Sequence, residues 1–126
     1  MILDLRIKVK PKYSLFNNAK YALDGLLAMI KNEVSFRIEL CIILPCIVIS
    51  LFLEVDLTLH VILVLVLFLI LILECVNSAI ESCIDLITED FHPLAKIAKD
   101  CASAAVLFSV ILALSTWGVT IYSLVF

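Results

Sequence analysis

Seventeen consecutive residues, Leu57 to Leu73, are apolar apart from Thr58 and His60. They run without a break into Glu-Cys-Val-Asn-Ser-Ala-Ile-Glu-Ser-Cys-Ile-Asp, residues 74–85. This stretch organises the chain. On a helix of about 3.6 residues per turn, positions 74, 77, 81 and 85 fall within roughly 80° of one another. Glu74, Asn77, Glu81 and Asp85 therefore line one stripe, with Ser78 beside it. Three carboxylates in one stripe at the end of a membrane-length segment are costly in hydrocarbon and point to function. The rest of the composition agrees with a membrane setting. Hydrophobic residues make up 64% of the 126, and the mean hydropathy of +1.21 is far above that of an ordinary soluble domain. The length suits one domain spanning residues 1–126.

The first thirteen residues carry Asp4, Arg6, Lys8, Lys10 and Lys12 around Pro11. They read either as a solvated basic tail or as one held near anionic headgroups, at about 1 kcal/mol per basic residue close to the surface. Residues 14–31 read as an amphipathic helix with Ser14 as N-cap. Leu15, Ala19, Ala22, Leu23, Leu26, Leu27 and Ile30 recur at helical spacing, with Asn17, Asn18, Lys20, Asp24 and Lys31 largely opposite. Such a helix lies in the membrane interface or packs on protein. A first span is expected over 34–53, where Arg37 can snorkel and Glu39 is shallow and faces protein. Glu54-Val-Asp56 is the only break before a second span, 57–86, so the two form an antiparallel hairpin. At about 1.5 Å per residue the second span is about 45 Å long, so its carboxylate end projects beyond the hydrocarbon. Residues 87–98 read as a polar connection broken at His92-Pro93, and a third span is expected over 99–124. Its first turns are small, Ala102 to Ala105, which permits close helix contact. Trp117 and Tyr122 sit where an aromatic belt belongs. The first long apolar run begins near residue 40, too far in for a cleaved leader.

All nine lysines and arginines lie ahead of or in the first turn of the first span, or between the second span and the first residue of the third. The positive-inside rule then places the N-terminus and the 86–98 connection in the cytoplasm and the C-terminus outside. The carboxylate stripe is at the cytoplasmic face. The five cysteines show no CxxC and no Cys/His metal spacing, and they read as reduced, small apolar fillers.

Two clusters meet at that face. One is the stripe; the other is Lys99, Asp100 and Ser103, with Glu33 and Glu39 at the same level ahead of or within the first span. Carboxylates at this density suit magnesium, which takes one or two carboxylates together with waters and phosphates. A lysine suits a nucleotide phosphate, and the deeper Glu74 suits proton abstraction from a hydroxyl at the interface. These parts suffice for phosphoryl transfer. They equally describe an ion or proton pathway, or polar glue between helices, and the residues alone leave all three open. With only Gly25 and Gly118 there is no glycine-rich phosphate loop, which excludes the soluble kinase folds that use one. Nothing in the chain points to a nucleic-acid partner.

Residues 74–85 resemble the signature of the prokaryotic diacylglycerol kinase family, Glu-x-x-Asn-Ser-Ala-Ile-Glu-x-x-Val-Asp, with Ile84 in place of the usual valine. The resemblance extends to Asn32-Glu33, to Phe36-Arg37 with Glu39, and to His92 with Ala98-Lys99-Asp100-x-x-Ser103-Ala-Ala-Val. It covers roughly residues 20 to 122. It implies an all-α membrane protein, a homotrimer of three-span subunits with an amphipathic surface helix, in the bacterial cytoplasmic (inner) membrane. It implies active sites shared between neighbouring subunits and phosphorylation of a lipid hydroxyl by MgATP. By match, Glu74 is the general base, and Glu33 and Glu81 hold magnesium. Asn77, Glu81, Lys99 and Asp100 complete the nucleotide site with His92 close to it. Asp85, Ser103 and Glu39 are matched positions that either bind substrate or have no assigned role. Asp24 stands where relatives commonly have a basic residue, so the surface helix departs from the pattern. Two substrate branches exist, diacylglycerol and undecaprenol. Ser103-Ala-Ala, Phe36-Arg37-Ile-Glu39 and Trp117 look like the first, while His92-Pro-Leu-Ala-Lys-Ile-Ala-Lys looks like the second. The balance favours diacylglycerol, converted to phosphatidic acid in phospholipid biosynthesis.

Overall fold

A computed structural model describes residues 12–126. The basic tail lies, up to Pro11, outside the described residues. Four helices and no strand make up the rest: α1 (Leu15–Asn32), α2 (Val34–Ser50), α3 (Leu57–Ile87) and α4 (Pro93–Val125).

Each boundary has a local cause. Ser14 caps α1, its hydroxyl accepting from the Asn17 amide at 3.4 Å. The helix stops at Glu33, whose extended backbone (φ −100°, ψ 113°) separates α1 from α2 by one residue. Arg37 then reaches back, its Nη1 donating to the carbonyls of Ile30 and Lys31 at 3.0 Å each. The expected snorkelling arginine thus spends its guanidinium on the orphan carbonyls at the end of α1. The α-helical hydrogen bonding of α2 ends at Ser50. Leu51, Phe52 and Leu53 continue in i→i−3 bonds to Val48, Ile49 and Ser50, so the apolar run expected to 53 finishes as a tightened turn. Asp56 caps α3, accepting from Thr58 and Leu59 amides at 3.0 and 3.3 Å. The hairpin is latched by a 3.1 Å contact between His60 Nδ1 and the Ser50 carbonyl.

The start of α4 corrects the sequence reading. The sequence pattern puts residues 94–98 in a polar connection and opens the helix at 99; in the structure it opens at Pro93. Proline's fixed φ suits the first helical position, where an amide hydrogen has no intrahelical partner anyway. His92 supplies the cap, its Nδ1 accepting from the Leu94 amide at 3.2 Å. His92-Pro93 is therefore a helix start and not only a break, and the connection shrinks to residues 88–92.

α3 is the axis of the described chain. α4 packs along it most extensively, α2 also packs against it, and α1 leans on α2. The core is one cluster, Ile43, Val66, Leu67, Ile70 and Ala113, with Cys46, Val110 and Trp117 packed on it. Trp117 is not only a belt residue: its indole N–H donates to the Leu63 carbonyl at 3.1 Å and ties α4 to α3. α3 and α4 are long and apolar enough to cross a membrane. Only 28% and 17% of their apolar windows are buried, so neither is the enclosed core helix of a soluble domain. α1 buries no residue at all, and Leu23, Leu26, Leu27 and Ile30 are exposed along it.

Candidate active site

The carboxylate stripe descends α3 from a buried end to an open one. Glu74 is 6% exposed and Ser78, one turn on, is equally buried. Asn77 and Glu81 are half-buried, and Asp85 is exposed. A carboxylate this enclosed needs a partner, and α2 supplies it: the Ser35 hydroxyl donates to Glu74 Oε1. Sequence reasoning misses Ser35 because it lies 39 residues from Glu74, in a helix turn with no motif of its own beyond the neighbouring Phe36-Arg37. Glu39, one turn further along α2, turns the same way. Its Oε2 is buried and has no hydrogen-bond partner among the described residues.

The middle of the stripe is a pair. Asn77 Nδ2 donates to Glu81 Oε1 at 3.3 Å, while Asn77 Oδ1 is buried and unpartnered among the described residues. An amide oxygen without a donor beside a carboxylate is a set of hard oxygen ligands, the kind magnesium takes. No three His, Cys, Asp or Glu side chains gather around a metal position among the described residues. Magnesium does not require that many, since it keeps waters and takes phosphate oxygens alongside one or two carboxylates. The donors present therefore fit the ion. Glu33, the other expected ligand, lines a cavity of about 420 Å³ between α1 and α3, together with Asn32, Cys75, Ser78 and Ser82.

At the open end, α3 and α4 enclose a polar cleft of about 370 Å³ lined by Asp85, His92, Lys96, Lys99 and Asp100. Lys99 Nζ donates to Asp85 Oδ1 at 2.5 Å across the two helices, and Lys96 pairs with Asp100 along α4. The early start of α4 matters here, because it sets Lys96, Lys99 and Asp100 on a rigid helix facing α3. Ser103 is exposed on α4 and makes no side-chain hydrogen bond among the described residues. Most of the expected residues thus fall into three groups: Glu74, held by the unexpected Ser35, with Glu39 on the same helix face as Ser35; Asn77 with Glu81; and Asp85 with Lys99, Asp100 and His92. Glu33 and Ser103 lie outside them. Chemically the arrangement offers a buried proton acceptor, a cation seat, and lysines for phosphate, in that order from the apolar interior outward.

Known proteins resemble this chain over most of its length. The family model described as "Prokaryotic diacylglycerol kinase" matches residues 20–121. A protein of Escherichia coli named "Diacylglycerol kinase" is 41% identical over 105 residues, covering 83% of this chain and 86% of that protein. One of Helicobacter pylori with the same name is 38% identical over 123 residues, 94% of this chain and 96% of that one. One of Haemophilus influenzae, also so named, is 36% identical over 107 residues, with coverage of 82% and 88%.

Proposed function

The chain belongs to the prokaryotic diacylglycerol kinase family, and on that premise we propose that it transfers the terminal phosphoryl group of ATP, as the magnesium complex, to the free hydroxyl of diacylglycerol at the cytoplasmic face of the inner membrane, yielding phosphatidic acid. The observation that carries this reading is the depth ordering on α3. Glu74 is buried while Glu81, seven residues on and about 10 Å along the helix, stands half-open beside an unpartnered amide oxygen. A lipid hydroxyl reaches Glu74 while its chains stay in hydrocarbon, and a nucleotide reaches Glu81 from water.

The residues divide the work. Glu74 accepts the hydroxyl proton as the oxygen bonds to phosphorus. Glu81, with Asn77 Oδ1 and with Glu33, would hold magnesium, which when bound neutralises charge on the phosphates. Lys99 presents its ammonium to phosphate oxygens, oriented by Asp85, with Lys96, Asp100 and His92 along the same cleft. α2 with its terminal turn runs from 34 to 53, about 30 Å at 1.5 Å per residue, which supports a third membrane crossing besides α3 and α4. With basic residues confined to one side of these crossings, the N-terminus is cytoplasmic and the C-terminus outside. The exposed apolar stripe of α1 supports a helix lying in the interface. The exposed Ser103 on α4, with no side-chain hydrogen bond among the described residues, supports a homotrimer in which neighbouring copies complete the site.

The test is phosphoryl transfer by purified protein in a bilayer with MgATP, with diacylglycerol and undecaprenol in parallel arms. Phosphatidic acid is the expected product, with ATP consumed only when lipid alcohol is present. Preferential formation of undecaprenyl phosphate would replace the substrate. Ion flux without any phosphorylated lipid would overturn the enzyme reading.

A further inference from the structure

We propose that Ser35 is a positioning residue for phosphoryl transfer, its hydroxyl holding one oxygen of Glu74 so that the other faces the lipid hydroxyl; this rests on the assignment of Glu74 as the base. The hydroxyl has a single hydrogen, and it is given to Glu74 Oε1. No other hydrogen bond engages this carboxylate among the described residues. Oε2 is thus the oxygen left for substrate. As it takes the lipid proton, the lipid oxygen bonds to the γ-phosphorus, the bond from that phosphorus to the bridging oxygen breaks, and ADP leaves with the electron pair.

The backbone that carries Ser35 is fixed on both sides. Phe36, the next residue, is 1% exposed and anchors the first turn of α2 in the interior. Arg37, the one after, clamps the last carbonyls of α1 at 3.0 Å. Ser35 therefore meets α3 from a turn that has little freedom to move. Glu39, four residues on and so on the same face of α2, has a buried oxygen that nothing partners among the described residues. Ser35 is the only group on α2 hydrogen-bonded to the Glu74 carboxylate among the described residues. Without it, no group on α2 would hold that carboxylate, and the side chain would be free to leave the orientation that aims Oε2 at the lipid.

The experiment compares Ser35→Ala and Ser35→Thr, each alone and on a Glu74→Gln background, measuring kcat and KM for both substrates in the full-length protein. Ser35→Ala is expected to lower kcat about tenfold, the loss of one hydrogen bond to a charged group, with KM for MgATP unchanged within about twofold. Ser35→Thr, which keeps the hydroxyl, is expected to retain most of the turnover. On Glu74→Gln, adding Ser35→Ala is expected to change the residual rate by less than about twofold, because the group it positions is gone. Wild-type kcat in Ser35→Ala, or the same tenfold loss repeated on Glu74→Gln, would overturn the proposal. So would a Ser35→Thr variant as slow as Ser35→Ala. Near-wild-type turnover in Glu74→Gln alone would sink the base assignment instead, so the two failures are distinguishable.

Discussion

Replacing Glu74 by glutamine separates chemistry from fold. The side chain is 6% exposed and its one hydrogen bond among the described residues comes from Ser35. Glutamine has nearly the same volume, so no cavity opens, and its amide oxygen still accepts from Ser35. What is lost is the charge assistance in that bond, the difference between about 1.5–3 and about 0.5–1.5 kcal/mol. The cost of burying a charge disappears at the same time. Folding stability is therefore expected to move by no more than about 1 kcal/mol in either direction. On the proposed mechanism the chemical step loses its proton acceptor, which is worth about 10² to 10⁴ in rate, or about 3–5 kcal/mol at about 1.4 kcal/mol per tenfold. The two effects differ enough to be read separately. Phosphorylated lipid is measured against diacylglycerol concentration, nucleotide binding is measured directly, and the proposed oligomer is checked by size-exclusion chromatography. The expected result is a collapse of turnover with nucleotide binding and assembly intact. Turnover within a few-fold of wild type would refute the assignment, as would a loss that tracks dissociation of the oligomer.

The same geometry sets three other outcomes. Glu81→Gln is expected to raise the magnesium concentration needed for half-maximal activity while the protein stays folded; an unchanged magnesium titration would count against Glu81 as a ligand. A cysteine placed at Asp56, with the five native cysteines replaced, is expected to react with an impermeant reagent from the external side, and labelling from the cytoplasm alone would invert the topology. Trp117→Phe removes the indole N–H from the Leu63 carbonyl and is expected to cost about 0.5–1 kcal/mol in a detergent unfolding titration with little change in kcat; no loss of stability would show that the tie contributes nothing.

Much of the molecule is legible in one dimension because its signals are local. The apolar run and the stripe of Glu74, Asn77, Glu81 and Asp85 are periodicities of a single helix, and Ser14 acts within its own first turn, so reading along the chain finds them. Their chemical character, carboxylates and an amide ending a membrane-length helix, is decided there too. The start of α4 escapes such a reading although its signal is local. A proline can end one element and open another, and only the capping contact from His92 to Leu94 tells which role applies. The partners are decided by the tertiary structure. Ser35 meets Glu74 across 39 residues, Trp117 meets Leu63 across 54, and Lys99 meets Asp85 across 14. Arg37, expected to snorkel to water, turns back to α1. A single polar side chain states its need for a partner through its burial, but burial is set by how the helices pack. Which hydroxyl, carbonyl or carboxylate meets that need depends on the rotation and depth of each helix against α3, quantities that no local spacing encodes.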